Sequence, residues 1–133
     1  PGSRPDWLPA RGARLLCFFL GHHKRFTPFG MHKYQWDPEA QTLREAWVTT
    51  EISSPNSVPY VSQGSDTVYT CGTRNGKWTI EAVDWSTGES RGYWATGDSR
   101  FNTLGGGVHV DGDGRIIFGS IFGKTRILAS PRD

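Results

Sequence analysis

The sequence predicts an all-β fold of one domain, in which short strands are joined by tight turns. Aromatic residues make up 13% of the 133 residues and glycine occurs 17 times, a composition typical of strands alternating with turns. No segment shows the spacing of a long amphipathic helix. A pattern of aromatic and turn residues recurs every 46 to 49 residues, which indicates repeated supersecondary units.

The recurrence divides the chain into three units, at residues 4–53, 54–99 and 100–133 of a single domain. Pro1-Gly2-Ser3 is typical of the residues that remain after an affinity tag is cleaved, and the fold prediction leaves it out. The positions that match between units are Asn56 and Asn102 (46 residues apart), Val68-Tyr69 and Ile117-Phe118 (49 apart), Trp36 and Trp85 (49 apart), and Trp47 and Trp94 (47 apart).

In the first unit, apolar or alternating runs predict strands at 15–21, 31–36 and 43–50, and a short one at 6–8. Residues 15–20 form an apolar run of the length of a buried strand, and residues 31–36 alternate as in a half-buried strand. Asp37-Pro38 begins the turn between the last two strands, because proline favours such a position.

The second unit has all four strands, at 58–62, 67–72, 78–85 and 91–96. Asn75-Gly76 predicts its central hairpin, since this pair supplies the positive φ angles that short hairpin turns need. The turns on either side are 64–66 and 86–88. The third unit has strands at 107–110, 115–120 and 125–128, with an Asp-Gly-Asp-Gly turn at 111–114, and lacks a fourth strand.

Four-stranded antiparallel units at this spacing predict blades of a β-propeller, whereas a plain sandwich or barrel would not require the recurrence. Three blades make half of a six-bladed ring. We therefore expect a homodimer in which two copies complete such a ring with two-fold symmetry. The partner's N-terminal segment would supply the missing strand of the third unit. The alternative is that the chain is a piece of a longer protein.

Three runs resemble the blades of the quinoprotein-like superfamily, whose members carry the pyrroloquinoline-quinone-type repeat. They are VYTCG at 68–72, IEAVDWSTGE at 80–89 and GRIIFGS at 114–120, with Trp94 as the closing tryptophan. Trp94 lies further from the Thr-Gly pair than the family pattern has it, and the first unit has no glycine at 37–42. The resemblance implies a propeller fold and no particular activity or cofactor, because such blades serve enzymes, binding modules and scaffolds alike.

The balance of charge and apolar residues excludes some classes of partner. Lys and Arg number 15 against 13 Asp and Glu, and a net charge of +2 is too small for a general nucleic-acid binder. No apolar run reaches the roughly 18 residues of a membrane helix, so we expect no membrane partner. Because the sequence shows no signal peptide, and Cys17 and Cys71 are expected to be free buried thiols, we expect a cytoplasmic location.

In a propeller, the connections between blades and the loops between second and third strands share one face, around the mouth of the central channel. The residues that we predict to bind a ligand at this mouth are His22, His23, Arg25, Asn56, Arg74, Arg100, Asn102 and His109. Their basic balance suits a small anionic or sugar-acid ligand. We predict no metal and no cofactor, and a calcium site at 111–115 would lack the downstream glutamate.

These candidates have structural alternatives. His22 and His23 could form a metal site or a general base, but adjacent side chains of an extended chain point to opposite sides, which favours a solvated loop. Asn56 and Asn102 could instead cap turns between blades through their own side chains. His109 could be a hydrogen-bonded structural histidine.

Taken together, these features favour a propeller-type binding or assembly module. One alternative is a propeller hydrolase or lyase that acts on an anionic or carbohydrate substrate, which a divalent ion bound by His22 or His23 would favour. The other is a structural fragment or an engineered blade assembly without a ligand, which a mouth without convergent polar groups would favour.

Overall fold

The computed structural model describes residues 15–19, 30–54, 57–120 and 122–127, with backbone only for residues 15–19. Within these ranges the chain forms eleven β-strands and one short 3-10 turn, Ser99–Phe101. The pairings within each sheet are antiparallel, so the predicted all-β class is confirmed. None of the helical structure in these ranges has the length and apolar character that crossing a membrane requires.

The strands form three sheets in chain order. Sheet I contains β1 (Leu15–Phe19), β2 (Met31–Asp37) and β3 (Thr42–Thr49), paired in that order. Sheet II contains β4 (Ile52–Ser53), β5 (Tyr60–Ser62), β6 (Thr67–Arg74), β7 (Lys77–Asp84) and β8 (Ser90–Ala95). In sheet II, β4 and β5 both pair with β6, and β7 and β8 follow. Sheet III contains β9 (Val108–Val110), β10 (Ile116–Ser120) and β11 (Gly123–Ile127), paired in that order.

The predicted strands have counterparts among these elements, apart from the segment at 6–8, which lies outside the described residues. One strand was missed. Ile52–Ser53 (β4) pairs with Thr73 and Arg74 at the end of β6, and it lies between the strands predicted at 43–50 and 58–62. In the third unit the last strand begins at Gly123 rather than at Thr125.

The three sheets pack face to face, and sheet II is covered on both faces. Side chains alternate between the faces of a strand, so β6 and β7 contribute to two separate cores. The core between sheets I and II consists of Met31, Trp47, Ile52, Val68 and Val83, with Val61 and Trp85 packed against it. The core between sheets II and III consists of Cys71, Ile80, Val108, Ile116 and Phe118, with Tyr69, Trp78, Phe101, Val110 and Ile127 packed against it.

β5 and β9, the first strands of the second and third units, lie side by side and run in the same direction. An isolated parallel bridge joins Val58, just before β5, to Gly107, just before β9. The Val58 N–H donates to the carbonyl of Gly106 at 3.2 Å, and the Val108 N–H donates to the carbonyl of Val58 at 3.3 Å. Sheets II and III therefore meet at β5 and β9. The later strands of each sheet, β6 to β8 and β10 to β11, extend away from this contact.

The last hairpins of sheets I and II match each other at an offset of 47 residues. Asp37 Oδ1 accepts hydrogen bonds from the backbone N–H groups two and three residues later, at 3.0 Å each, and Asp84 Oδ1 does the same at 2.9 and 2.8 Å. Four residues after each aspartate the backbone has a positive φ, 50° at Gln41 and 80° at Gly88. Gln41 thus takes the position where the family pattern has glycine.

The same offset extends from the turn into both strands. An arginine seven residues after the aspartate pairs with it in each hairpin, at 2.6 Å. A tryptophan three residues further along lies at the same register position in each. These residues are Arg44 and Trp47 in sheet I, with Trp47 opposite Lys33, and Arg91 and Trp94 in sheet II, with Trp94 opposite Ile80.

Two of the matches made from the sequence are wrong by one or two positions. The offset of 47 makes Trp36 the counterpart of Val83 rather than of Trp85. Val68 belongs to the core between sheets I and II, whereas Ile117 points away from the core that its neighbours in β10 form with sheet II. These two residues are not equivalent, because a shift of one residue along a strand exchanges its two faces.

Candidate functional site

Tyr60 of β5 and His109 of β9 occupy matching positions on the two neighbouring first strands. Each lies two residues beyond its end of the parallel bridge between Val58 and Gly107. Their ring centroids are 6.4 Å apart, and the ring planes are inclined by 58°. Tyr60 is half-buried and His109 is exposed, so a dissolved molecule can reach both rings.

The backbone around the bridge leaves room for the imidazole and adds apolar surface. A side chain on Gly107 would place its Cβ 3.0 Å from His109 Nε2, closer than such contacts normally come. Val58, at the bridge, and Leu104, in the turn that leads to it, are 57% and 59% exposed. The Tyr60–His109 site therefore joins two polar rings to exposed apolar side chains where sheets II and III begin.

These groups suit the recognition of a small polar molecule. A neutral imidazole offers one donor and one acceptor nitrogen, and a phenol both donates and accepts a hydrogen bond. A protonated imidazole also attracts an anionic group. The face of the Tyr60 ring offers an apolar surface beside these polar atoms.

Four of the residues predicted for the channel mouth, His22, His23, Arg25 and Asn56, lie outside the described residues. The other four are described, and their surroundings differ. His109 belongs to the Tyr60–His109 site. Arg74, Arg100 and Asn102 are bound by neighbouring residues of the protein itself.

Arg74, predicted to bind a ligand, lies in an internal ion-pair cluster. Its Nε and Nη2 donate to the two carboxylate oxygens of Glu81 at 3.2 and 3.0 Å, and its Nη1 donates to Glu51 at 2.7 Å. The Arg74 side chain is 11% exposed and that of Glu81 is fully buried. Hydrogen bonding to Glu81, more than any other contact, raises the pKa of Arg74. The guanidinium is therefore charged, and its charge is already balanced by two carboxylates.

Arg100 and Asn102 lie in the connection between sheets II and III. Arg100 Nη2 pairs with Asp98 Oδ2 at 2.8 Å on the surface. Asn102 is buried, and its Oδ1 accepts the N–H of Leu104 at 2.9 Å. The Asn102 side chain thus caps the turn before the Val58–Gly107 bridge. This is the structural role that the sequence analysis gives as the alternative to ligand binding.

The sequence analysis missed Tyr60, although the sequence contains a signal for it. Tyr60 and His109 are 49 residues apart, and so are the bridge residues Val58 and Gly107. Aligning the units on their asparagines gives an offset of 46 instead, which hides the match between the two first strands.

Other reactive groups in the described ranges are shielded or isolated. Cys71 is buried, with its Sγ 3.3 Å from the carbonyl oxygen of Phe101. Burial raises the pKa of the Cys71 thiol to about 11, so the thiol is protonated at neutral pH. Within the same ranges, no three side chains of His, Cys, Asp or Glu lie close enough together to hold a metal ion.

Acid is expected to weaken the turn at Asp84. The backbone N–H of Thr87, and after it the guanidinium of Arg91, lower the pKa of Asp84 from 3.8 to about 2. Because the folded pKa lies below the unfolded one, this stabilisation is complete above pH ~4 and is lost as the pH falls through 2. We expect the urea midpoint to fall between pH 4 and pH 2 and to fall less in Asp84→Asn, which does not titrate. An equal fall in both proteins would contradict the assignment.

Comparison with known proteins finds an archaeal relative. An uncharacterized protein of Archaeoglobus fulgidus is 32% identical to this chain over 123 residues, which is 92% of the chain and 24% of that relative. The chain thus spans about a quarter of the relative's length. No family model matches the chain, and no solved structure matches it.

Proposed function

We propose that this chain is a three-unit segment of a β-propeller and acts as a binding or assembly module, with its ligand site at Tyr60 and His109. The observation that carries the proposal is the parallel bridge between Val58 and Gly107. In a propeller, blades radiate from an axis, and their first strands lie next to one another around it. A two-sheet sandwich, by contrast, has one interface between sheets and gives no reason for such a bridge.

Two further observations support the propeller. Sheet II has a core on each of its faces, as a blade between two other blades requires. The matched hairpins of sheets I and II have the same turn, ion pair and tryptophan position. The resemblance of the runs at 68–72, 80–89 and 114–120 to quinoprotein-like blades agrees with this arrangement.

The ligand class follows from the side chains on the first strands. His109 and Tyr60 offer hydrogen-bonding groups of both kinds and an aromatic face, and their ring centroids are 6.4 Å apart. These properties suit a small sugar acid, whose carboxylate would meet the imidazole and whose ring would pack on the phenol. Neighbouring units of a ring would add further side chains around the same axis.

Calorimetric titration with glucuronate and galacturonate tests the ligand site, with glucose as the uncharged comparison. We expect the sugar acids to bind more tightly than glucose and to lose about tenfold in affinity in His109→Ala, roughly the loss of one hydrogen bond. Lys77→Ala, an exposed change in the β6–β7 hairpin, is the control and should bind as the native sequence does. Equal affinity in His109→Ala would contradict the site.

We also propose that two copies of this chain associate to complete a six-unit ring. The described chain has three sheets, and the first and last of them each have one face that no other described sheet covers. Because the chain spans about a quarter of its relative, further sheets of a longer chain are the competing source of the missing half. The solution mass of this chain distinguishes the two.

A further inference from the structure

We infer that the contact between copies joins two particular faces: the outer face of sheet I in one copy and the outer face of sheet III in the other. The inference rests on the proposed ring and names its interface. Outer face I is the side of sheet I that points away from sheet II, and it consists of His32, Tyr34, Trp36, Leu43, Glu45 and Val48. Outer face III is the side of sheet III that points away from sheet II, and apart from the ligand-site residue His109 it consists of Ile117, Lys124 and Arg126.

The strand register fixes outer face I. Met31 and Trp47 are in the core with sheet II, and the Lys33 Nζ donates to the carbonyl of Trp85 at 2.6 Å. Alternation along β2 therefore turns His32 and Tyr34 to the opposite side. Their neighbours across the strand pair are Val48 and Glu45, which β3 presents on the same side.

The side chains on outer face I form an ordered, partly apolar surface. His32 Nδ1 lies 2.9 Å from Glu45 Oε2, and the His32 and Tyr34 rings are stacked with centroids 6.0 Å apart. Leu43 and Val48 are 44% and 46% exposed on either side of this cluster. A sheet face with this content is suited to further packing, because exposed apolar patches mark interaction surfaces.

The packing between sheets within the chain indicates which kind of face packs against outer face I. Sheet II presents Val68 and Val83 to the underside of sheet I, and sheet III presents Ile116 and Phe118 to the underside of sheet II. In both contacts, the face of a sheet that points toward the N-terminal end of the series packs against the opposite face of the sheet that precedes it in the chain. Outer face I is the face of sheet I that points in this N-terminal direction. Its matching partner is therefore the opposite face of the last sheet of another copy, which is outer face III.

The charges of the two outer faces are complementary. Ile117 of β10 and Arg126 of β11 lie opposite each other on outer face III. Lys124 and Arg126 are exposed, and the described strands of sheet III contain no Asp or Glu. Glu45 is the carboxylate of outer face I, and its side chain is 45% exposed. The carboxylate of Glu45, flanked by apolar side chains, therefore meets a face that carries Lys124 and Arg126 around the apolar Ile117, which favours this pairing over either face with itself.

In a dimer with two-fold symmetry, this contact between outer face I and outer face III occurs twice. The outer face III of each copy meets the outer face I of the other, so that six sheets close and no outer face remains free. Glu45 and Arg126 consequently lie on the two faces that meet at both junctions. A charge reversal at either position then places like charges together at both junctions of the homodimer.

Charge-reversal variants test the assigned faces by sedimentation velocity at matched concentrations. We expect Glu45→Arg alone and Arg126→Glu alone to weaken dimerisation at least tenfold each, and an equimolar mixture of the two variants to form a dimer as readily as the native sequence. In the mixed dimer one junction carries the reversed pair and the other the native pair, so both are attractive. Lys77→Glu, on sheet II, is the matched control and should dimerise normally.

The outcomes separate the interface from the ring. A native dimer that neither reversal weakens would overturn the assigned faces and leave the ring proposal in place. A native monomer at every concentration would overturn both. Glu45→Arg also breaks the contact with His32, so circular dichroism of each variant accompanies the measurement. If that variant unfolds, Arg126→Glu decides alone: an unchanged dimer contradicts the inference, and a monomer supports it.

Discussion

Replacing Glu81 by alanine is expected to destabilise the folded chain by about 3–5 kcal/mol, as measured by urea unfolding. Glu81 is fully buried, and its two carboxylate oxygens accept hydrogen bonds from Arg74. The Thr79 hydroxyl also donates to Glu81 Oε1, at 2.6 Å. The alanine variant leaves the largely buried guanidinium without its main partner, and the desolvation of that charge is no longer offset.

Removing both partners separates the ion pair from simple loss of packing. We expect Arg74→Met with Glu81→Leu to be more stable than Glu81→Ala, because no buried charge then remains unpaired. Glu51→Ala is the control at the exposed end of the cluster and should cost less than about 1 kcal/mol. A Glu81→Ala variant as stable as the Glu51→Ala variant would show that the buried pair contributes little.

Replacing Trp47 by alanine is expected to cost about 3–5 kcal/mol, the usual range for a large buried aromatic side chain. The indole of Trp47 lies in the core between sheets I and II, and its Nε1–H donates to the carbonyl of Trp85 at 3.0 Å. The turn of sheet II closes over it, since a Cβ on Gly88 would come within 2.7 Å of the ring. The measurement is the free energy of unfolding from urea titration.

Trp94 provides the comparison, because it has the matched position in sheet II. Its side chain is 45% exposed, and no described hairpin of sheet III covers it as the turn at Gly88 covers Trp47. We therefore expect Trp94→Ala to cost about 1 kcal/mol in the isolated chain. Equal losses in the two variants would mean that the turn over Trp47 contributes little to stability.

Local sequence signals predicted most strands because their turns have distinctive chemistry. Asn75 and Gly76 both have the positive φ that the Asn-Gly hairpin requires. The two-residue strand β4 gave no such signal. Ile52–Ser53 is a strand only because it pairs with Thr73 and Arg74, about twenty residues away. Pairing at that distance depends on the folded sheet and is not visible in a short window.

The offsets between units were harder to predict, since the asparagines match at 46 residues, one pair of tryptophans at 47, and another pair of tryptophans and an apolar pair at 49. A shift of one residue changes which face of a strand a side chain occupies. The hydrogen bonds of Asp37 and Asp84 select 47 for the hairpins of sheets I and II, and the Val58–Gly107 bridge selects 49 for the first strands of sheets II and III. A single offset therefore does not relate all three units.

The sequence does not reveal which of the predicted site residues have charges that are already paired within the chain. Arg74 looked available beside a hairpin turn, yet Glu81, seven residues later, lies on the same face of the neighbouring strand. Asn102 was identified, but its side chain holds a turn. His109 was identified without its neighbour Tyr60, because the two rings meet only when the first strands of two units lie side by side.

Light scattering on a sizing column tests most directly whether this chain is half of a closed ring. The chain mass is 14.8 kDa, and the account predicts a single species of twice that mass over a wide range of loading concentrations. A folded species that stays at 14.8 kDa throughout would contradict ring closure by two copies. The uncovered faces of sheets I and III would then belong to contacts with other parts of a longer chain.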